Sequence, residues 1–335
     1  MRKILLTTTA FVALGSVAAV AADVSVSGNA RFRYNTWSDD NAAVAGENNN
    51  SMTDMLQLWI QSSATTDNGL AIGTNTRIRT NGTVDRNWID IDGDFGKLDL
   101  GKNWSLSYSG SLHEVWAGTV AGGAFMGGSN NAGLAAMNTT GFLPGGNRAN
   151  KIQYHIPSIG GFNAAIGYED AGAGTDADQT ASHVSYTMPF GGGNLKINMT
   201  SMATSAANAT SGESDGREVG VEYSGGFGRV YALSQNTETT NVGGVATDDQ
   251  EGTTFGGTYN VNSAAKVVYY RQEMDQDGTV STGDKFSSNT VGLRYDIAGG
   301  LRVGLLHSNY DFTDASNTAT SENGSATRLE VRVNF

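Results

Sequence analysis

The sequence predicts an all-β protein, a sixteen-stranded antiparallel transmembrane β-barrel with a long loop folded into it. Short runs that alternate apolar and polar residues fill nearly the whole chain, and period two places successive side chains on opposite faces of a strand. The connections between those runs alternate between tight and long. One of them, Trp104 to Asn147, is too long for an ordinary link and carries a single formal charge, Glu114.

A leader precedes the first run. Met1, Arg2 and Lys3 give a charged start, Ile4 to Val20 an apolar stretch without an acid, and Ala19-Val20-Ala21 and Val20-Ala21-Ala22 small-residue cleavage sites. Residues 1–22 therefore read as a secretory signal peptide, with 23–335 as one transmembrane barrel. The alternative, an anchor helix, needs a longer apolar run and a charged stop after it. Cleavage removes two basic residues and no acid, so the formal charge of −12 becomes −14. An acidic exported chain is not expected to bind nucleic acid. With no cysteine it has neither disulfides nor thiolate metal sites.

The first mature run sets Val24, Val26, Ala30, Phe32 and Tyr34 against Arg31 and Arg33. Leu56, Leu58 and Ile60 then oppose Gln57, Trp59 and Gln61, and Ile72 and Ile78 oppose Arg77 and Arg79. Ile152 and Tyr154 oppose Lys151 and Gln153, and Val291, Leu293 and Tyr295 oppose Arg294 and Asp296. Sixteen strands are predicted, at 24–36, 52–66, 69–80, 86–92, 97–103, 148–156, 162–169, 181–188, 194–202, 216–224, 228–237, 252–261, 265–275, 287–297, 301–312 and 325–335. In Arg229–Leu233 and Lys266–Arg271 consecutive apolar residues leave the inward parity open. No segment reads as an amphipathic or spanning helix.

Tight turns fall at 67–68, 93–96, 157–161, 189–193, 225–227, 262–264 and 298–300, which places them all at one end. The intervening connections are mostly long and rich in Asn, Thr and Asp, with 81–85 a brief exception. Outer-membrane barrels have this asymmetry and an even strand number. Charged residues are only 16% and apolar residues 39%, both below the usual shares for a soluble protein, as a wall between lipid and water would require. In lipid an open sheet edge would leave backbone groups unpaired, so closure is expected. A soluble β-sandwich or solenoid is the alternative.

If the apolar faces meet lipid, Arg31, Arg33, Arg77, Arg79, Arg328 and Arg332 point inward, and pairing of the first and last strands gathers them on one wall. Glu114 on the inserted loop would face them across a transverse field that favours polar solutes. Arg148, opening the strand after the loop, would join the basic side if its parity is inward. Overall acidity favours cations and the arginine wall favours anions, so the sign of selectivity stays open.

Enzyme-like strings are weak. Gly96–Asn103 nearly matches a phosphate loop but has Asn103 where a Ser or Thr would hold magnesium. Gly212–Gly216 fits GxSxG in what reads as a polar loop, without the strand-to-helix elbow. Asp275, Asp277 and Asp284 could hold a loop-bound calcium, although without EF-hand spacing. His113, His155, His183 and His307 are scattered. No other cofactor or metal is expected.

FGKLDLGKN at Phe95–Asn103, NRANKIQYHIP at Asn147–Pro157, GGFNAAIGY at Gly160–Tyr168 and the final RLEVRVNF together resemble the sixteen-stranded general diffusion porins of Gram-negative bacteria, of the alphaproteobacterial type. The likeness covers essentially the mature chain. It implies an outer-membrane, water-filled channel for passive diffusion of small hydrophilic solutes and ions, with 104–147 as the constriction loop. It further implies a homotrimer embedded among outer-membrane lipid and lipopolysaccharide, and a terminal Phe335 read by the barrel assembly machinery. Loops of this kind usually present several carboxylates, whereas this one has Glu114 alone. A solute-specific channel is the nearest alternative; a non-conducting adhesin or enzyme is a more distant one.

Overall fold

The computed structural model describes residues 23–39, 48–80, 82–112, 149–170, 178–205, 212–240, 246–278, 283–315 and 321–335. Sixteen strands follow in order: β1 (Asp23–Asp39), β2 (Asn48–Thr65), β3 (Ala71–Arg79), β4 (Val84–Gly93), β5 (Gly96–Lys102), β6 (Asn150–His155), β7 (Phe162–Glu169) and β8 (Gln179–Phe190). Then come β9 (Gly193–Thr204), β10 (Glu213–Gly225), β11 (Gly228–Thr240), β12 (Ala246–Asn260), β13 (Ala265–Gly278), β14 (Asp284–Asp296), β15 (Leu301–Thr313) and β16 (Glu322–Asn334). Each pairs antiparallel with the next and β16 returns to β1, so the sheet is a closed barrel without an edge.

Every strand predicted from alternation is present. The seam is in register from Asn29 opposite Asn334 to Asp39 opposite Gly324. Phe335 extends it: its backbone exchanges bonds of 2.8 and 3.0 Å with Gly28, and its exposed ring lies over that glycine. The tight turns require glycine where φ is positive. Gly191 and Gly192, at φ 56° and 82°, join Phe190 to its partner Gly193, a hairpin geometry open chiefly to glycine and Asn.

The two faces of the wall differ as the alternation requires. Ile166, Val219, Val291, Leu293 and Tyr295 face outward and are exposed, and Phe95, Phe190 and Phe227 stand outward at the tight-turn end. Phe190 meets Tyr223 edge-on at 6.2 Å and Phe227 stacks on the same ring at 5.7 Å, building part of an aromatic girdle. The inner face carries Gln57, Asn75, Gln153, Asn198, Gln272 and Ser308, all buried.

The ambiguous runs resolve as a reversal of polarity along the strand. In β13, Val267 and Tyr269 face outward, then Arg271, Glu273 and Asp275 follow them on the same face, while Val268, Tyr270 and Met274 point inward and are buried. In β14, β15 and β11, Phe286, Leu306, Phe312 and Leu233 likewise point inward while Lys285, Asp311 and Asn236 face out. The rule that apolar means outward holds only over the apolar band; beyond it the strands continue with a polar outer face. Lys266–Arg271 defeats the parity reading because the two patterns overlap there.

The GxSxG string is not in a loop: β10 begins at Glu213, and Ser214 pairs with Thr204 and Thr239. The phosphate-loop string is strand, as its alternation implies. Asp275 and Asp277 are exposed on the outer face whereas Asp284 is buried and accepts from the Ala315 amide at 2.9 Å, so the three carboxylates do not converge. Among the described residues no cluster of three His, Cys, Asp or Glu fit for a metal is found.

Candidate functional site

The inner wall is built outward from the seam. Antiparallel register sets Arg31 opposite Arg332, Arg33 opposite Glu330 and Asn35 opposite Arg328, all on the inward parity. Like charges directly opposite repel. Glu330, 2% exposed, relieves them: it accepts from Arg33 Nε at 2.6 Å and lies 2.7 Å from Arg332 Nη2. Arg328 donates to Asn35 Oδ1 at 2.6 Å, and Arg31 donates to Met55 Sδ at 2.7 Å.

The basic wall continues into β3. Gln57 stands between Asn29 of β1 and Arg79 of β3 in the register, so the arginines of β16, β1 and β3 share one curved surface. Asp85 draws two of them together. Arg77 donates to it in a bidentate fork at 2.7 and 2.5 Å, and Arg79 Nε lies 2.5 Å from the same carboxylate. Asp85 reaches them because it is the extra residue of a β-bulge: Arg86 pairs with Arg77 and Val84 with Ile78, leaving Asp85 between.

The opening of the long loop, 104–112, leaves β5 and runs along the inside. It forms one helical turn, α1 (Leu106–Ser109), capped by Ser105, whose Oγ accepts from the Ser107 amide at 3.2 Å; Gly110 N closes the turn onto Leu106 O. A capped turn of four residues lies below what periodicity can reveal. From there the chain crosses β6 to β11 on a series of side-chain anchors. Gln153 of β6 donates to Trp104 O at 2.7 Å, and Asn198 of β9 to Gly110 O at 3.1 Å. Glu218 of β10 accepts from Ser111 Oγ at 2.5 Å and from the Leu112 amide at 3.1 Å.

Apolar contacts accompany these bonds. Leu106 is buried with Ala165 and Ala181, and Leu112 with Tyr231 and Leu233. Space for Leu112 exists because Gly220 has no side chain: a Cβ there would approach Leu112 Cδ1 to 2.9 Å. In the strand order β10 lies eight strands from β2, so Ser111 and Leu112, held at β10, lie across the barrel from the arginine wall.

All six predicted arginines thus lie on one inner wall, accompanied by two carboxylates that the prediction missed. Glu330 was legible, since it shares the parity of Arg328 and Arg332; Asp85 was not, because a bulge breaks parity. Glu114 and Arg148 lie outside the described residues, as do most of 104–147 and the leader 1–22.

A closed sixteen-strand barrel with an internally anchored loop has known relatives. A family model described as Gram-negative porin matches residues 7–327. The chain belongs to the Gram-negative porin family. The outer membrane porin protein 32 of Delftia acidovorans is 26% identical over 193 residues, 56% of this chain and 51% of that protein, so the match spans about half the length of this curated relative. The solved anion-selective porin from Comamonas acidovorans superposes with a TM-score of 0.73 at 19% identity, over 94% of this chain and all of that one. OmpT, an outer membrane protein of Vibrio cholerae solved in a trimer form, gives 0.70 at 14% identity over 94% and 100%. The family match and the shared barrel place this chain among Gram-negative porins.

Proposed function

We propose that this porin passes small hydrophilic solutes and ions by passive diffusion, with 104–147 as the loop that narrows the lumen. The observation that carries the reading is the loop's opening, which Gln153 holds at β6 and which Asn198 and Glu218 hold at β9 and β10, on the wall opposite the arginines. An internal loop leaves a channel narrower than its barrel, and polar inner positions keep it wet. Arg31, Arg33, Arg77, Arg79, Arg328 and Arg332 form the basic side of the constriction, Arg148 joins them, and Glu114 faces them from the loop. Anions are the favoured ions, because the wall holds more arginines than carboxylates. The channel needs no cofactor.

The working unit is a homotrimer. The outer faces of β2 to β4 carry polar pairs among their apolar residues: Ser62 bonds Thr74 at 2.7 Å and Thr76 bonds Asn87 Oδ1 at 2.9 Å. Such pairs are disfavoured against lipid and favoured against a second copy of the chain. The trimer form of the Vibrio cholerae relative supports this assembly. Residues 1–22 serve as a cleaved leader, Phe335 as the signal for the barrel assembly machinery, and the polar outer faces of β11 to β15 meet lipopolysaccharide.

Current through a planar bilayer tests the proposal. The mature protein should insert with conductance in threefold steps, and the zero-current potential under a potassium chloride gradient should carry the sign of chloride preference. A bilayer that stays insulating after insertion refutes diffusion.

A further inference from the structure

Three of the chain's five tryptophans converge on one guanidinium inside the barrel. Trp59 comes from β2, Trp88 from β4 and Trp104 from the start of the long loop. The Arg86 guanidinium carbon lies 4.4 Å from the Trp59 ring centroid, 5.7 Å from that of Trp88 and 5.6 Å from that of Trp104. Arg77 approaches Trp59 at 5.3 Å. Trp59 and Trp88 meet edge to face at 5.9 Å and 89°, and Trp104 lies flat on Tyr108 at 3.9 Å and 11°.

The ring set is held in place. Trp88 Nε1 donates to Asp90 Oδ1 at 3.0 Å, and the same oxygen takes Asn75 Nδ2 at 2.6 Å. Side chains that merely fill a core would be sealed, but Trp59, Trp88 and Arg86, on the inward parity of their strands, and Trp104, at the start of the loop, are all half-buried, so each keeps surface toward the lumen. A water-filled wall has no packing need for three indoles, and they adjoin the arginine surface.

We propose that this cluster is a binding subsite for aromatic carboxylates. A planar ring stacks on indole faces and on the guanidinium plane, while its carboxylate meets the adjoining arginines. Neutral sugars would use the rings but gain no charge-assisted bond from the arginines, of which Arg77 and Arg79 already share Asp85. Aliphatic acids would use the cations and leave the rings. Only a flat anion uses both. The inference rests on the channel reading and names a solute class for the same lumen.

The test is single-channel recording in potassium chloride with benzoate, then with cyclohexanecarboxylate, which has the same charge and similar bulk but no π face. Conductance in chloride alone reports on the channel reading, and failure there is distinct from failure of the subsite. Benzoate should interrupt the current saturably, at concentrations about tenfold below those at which cyclohexanecarboxylate does. Trp59→Ala should weaken the benzoate block about tenfold, Trp59→Phe should retain part of it, and Tyr295→Ala on the outer face should leave it intact. Should Trp59→Ala fail to fold, Trp88→Phe with the same pair of acids serves instead. Equal block by the two acids, or a benzoate block indifferent to these substitutions, overturns the proposal.

Discussion

Replacing Glu218 by alanine should release the opening of the long loop without unfolding the barrel. The carboxylate, fully buried, accepts two hydrogen bonds from the loop, from Ser111 Oγ and Leu112 N. Bonds to a charged acceptor contribute about 1.5–3 kcal/mol each, and leaving the Leu112 amide unpaired costs about 1–3 kcal/mol. Lumen water can replace part of this, so a net loss of about 3 kcal/mol is the working figure, or roughly a hundredfold in the population of released loop. Leu112 remains against Tyr231 and Leu233, which limits the effect. Chymotrypsin cleavage after Tyr108 reads the released population when reclosing is faster than cutting, so its rate should rise about a hundredfold. Single-channel current should become noisier, while the heat stability of the barrel stays the same because no strand pairing is lost. Glu218→Gln, which keeps a neutral acceptor, should fall between the two proteins. A cleavage rate within about threefold of the parent would refute the anchoring role.

Glu330→Gln should shift the zero-current potential toward stronger chloride preference, since Arg33 and Arg332 lose their shared carboxylate; no shift in a potassium chloride gradient would show that the seam does not face the ion path. Leu293→Arg, at a half-exposed position on the outer face, should destabilise the barrel by about 2–4 kcal/mol in denaturant titrations in lipid, whereas Asn236→Arg, beyond the apolar band, should cost about 0–1 kcal/mol. Gly28→Leu should lower the yield of heat-modifiable barrel on gels, because a side chain there collides with the Phe335 ring at the seam. Phe335→Ser should reduce assembly in cells more than refolding into detergent; equal losses would point to seam packing instead.

The strands were legible because period two is forced on any wall that separates unlike environments. Even the seam could be read in outline, since closure obliges the first and last strands to pair and gathers their inward arginines on one wall; that Arg31 meets Arg332 came from the register. What escaped the sequence were contacts that depend on a change of rule along the strand. Met274, Phe286 and Phe312 point inward beyond the apolar band, where the outer face is polar, so the apolar side of the alternation changes from outside to inside. Asp85 owes its position to a bulge, and bulges are invisible to parity. The loop's seat depends on pairings between distant segments, such as Leu112 over Gly220, which no local pattern encodes. The tryptophan cluster was half visible: Trp59 falls on the inward parity, but its convergence with Trp88 and Trp104 requires the register of β2 to β5.

The acidity of the chain and its basic inner wall are not opposed, because the charges occupy different places. Glu273, Asp275 and Asp311 face outward and are exposed, beyond the apolar band, while the six arginines face inward along the seam and β3. An ion in the lumen passes within contact range of the guanidiniums. It is separated from the outer carboxylates by the wall itself and by a Debye length of about 8 Å at physiological salt. On the diffusion reading, the outer acids set the ion atmosphere around the mouth and the wall sets which ion passes. Glu330 and Asp85 then act as dividers of the wall's charge: Glu330 meets Arg33 and Arg332, Asp85 meets Arg77 and Arg79, and Arg31 and Arg328 donate to the neutral Met55 and Asn35. On that reading, selectivity follows where carboxylates are placed among the arginines more than the net charge of the chain.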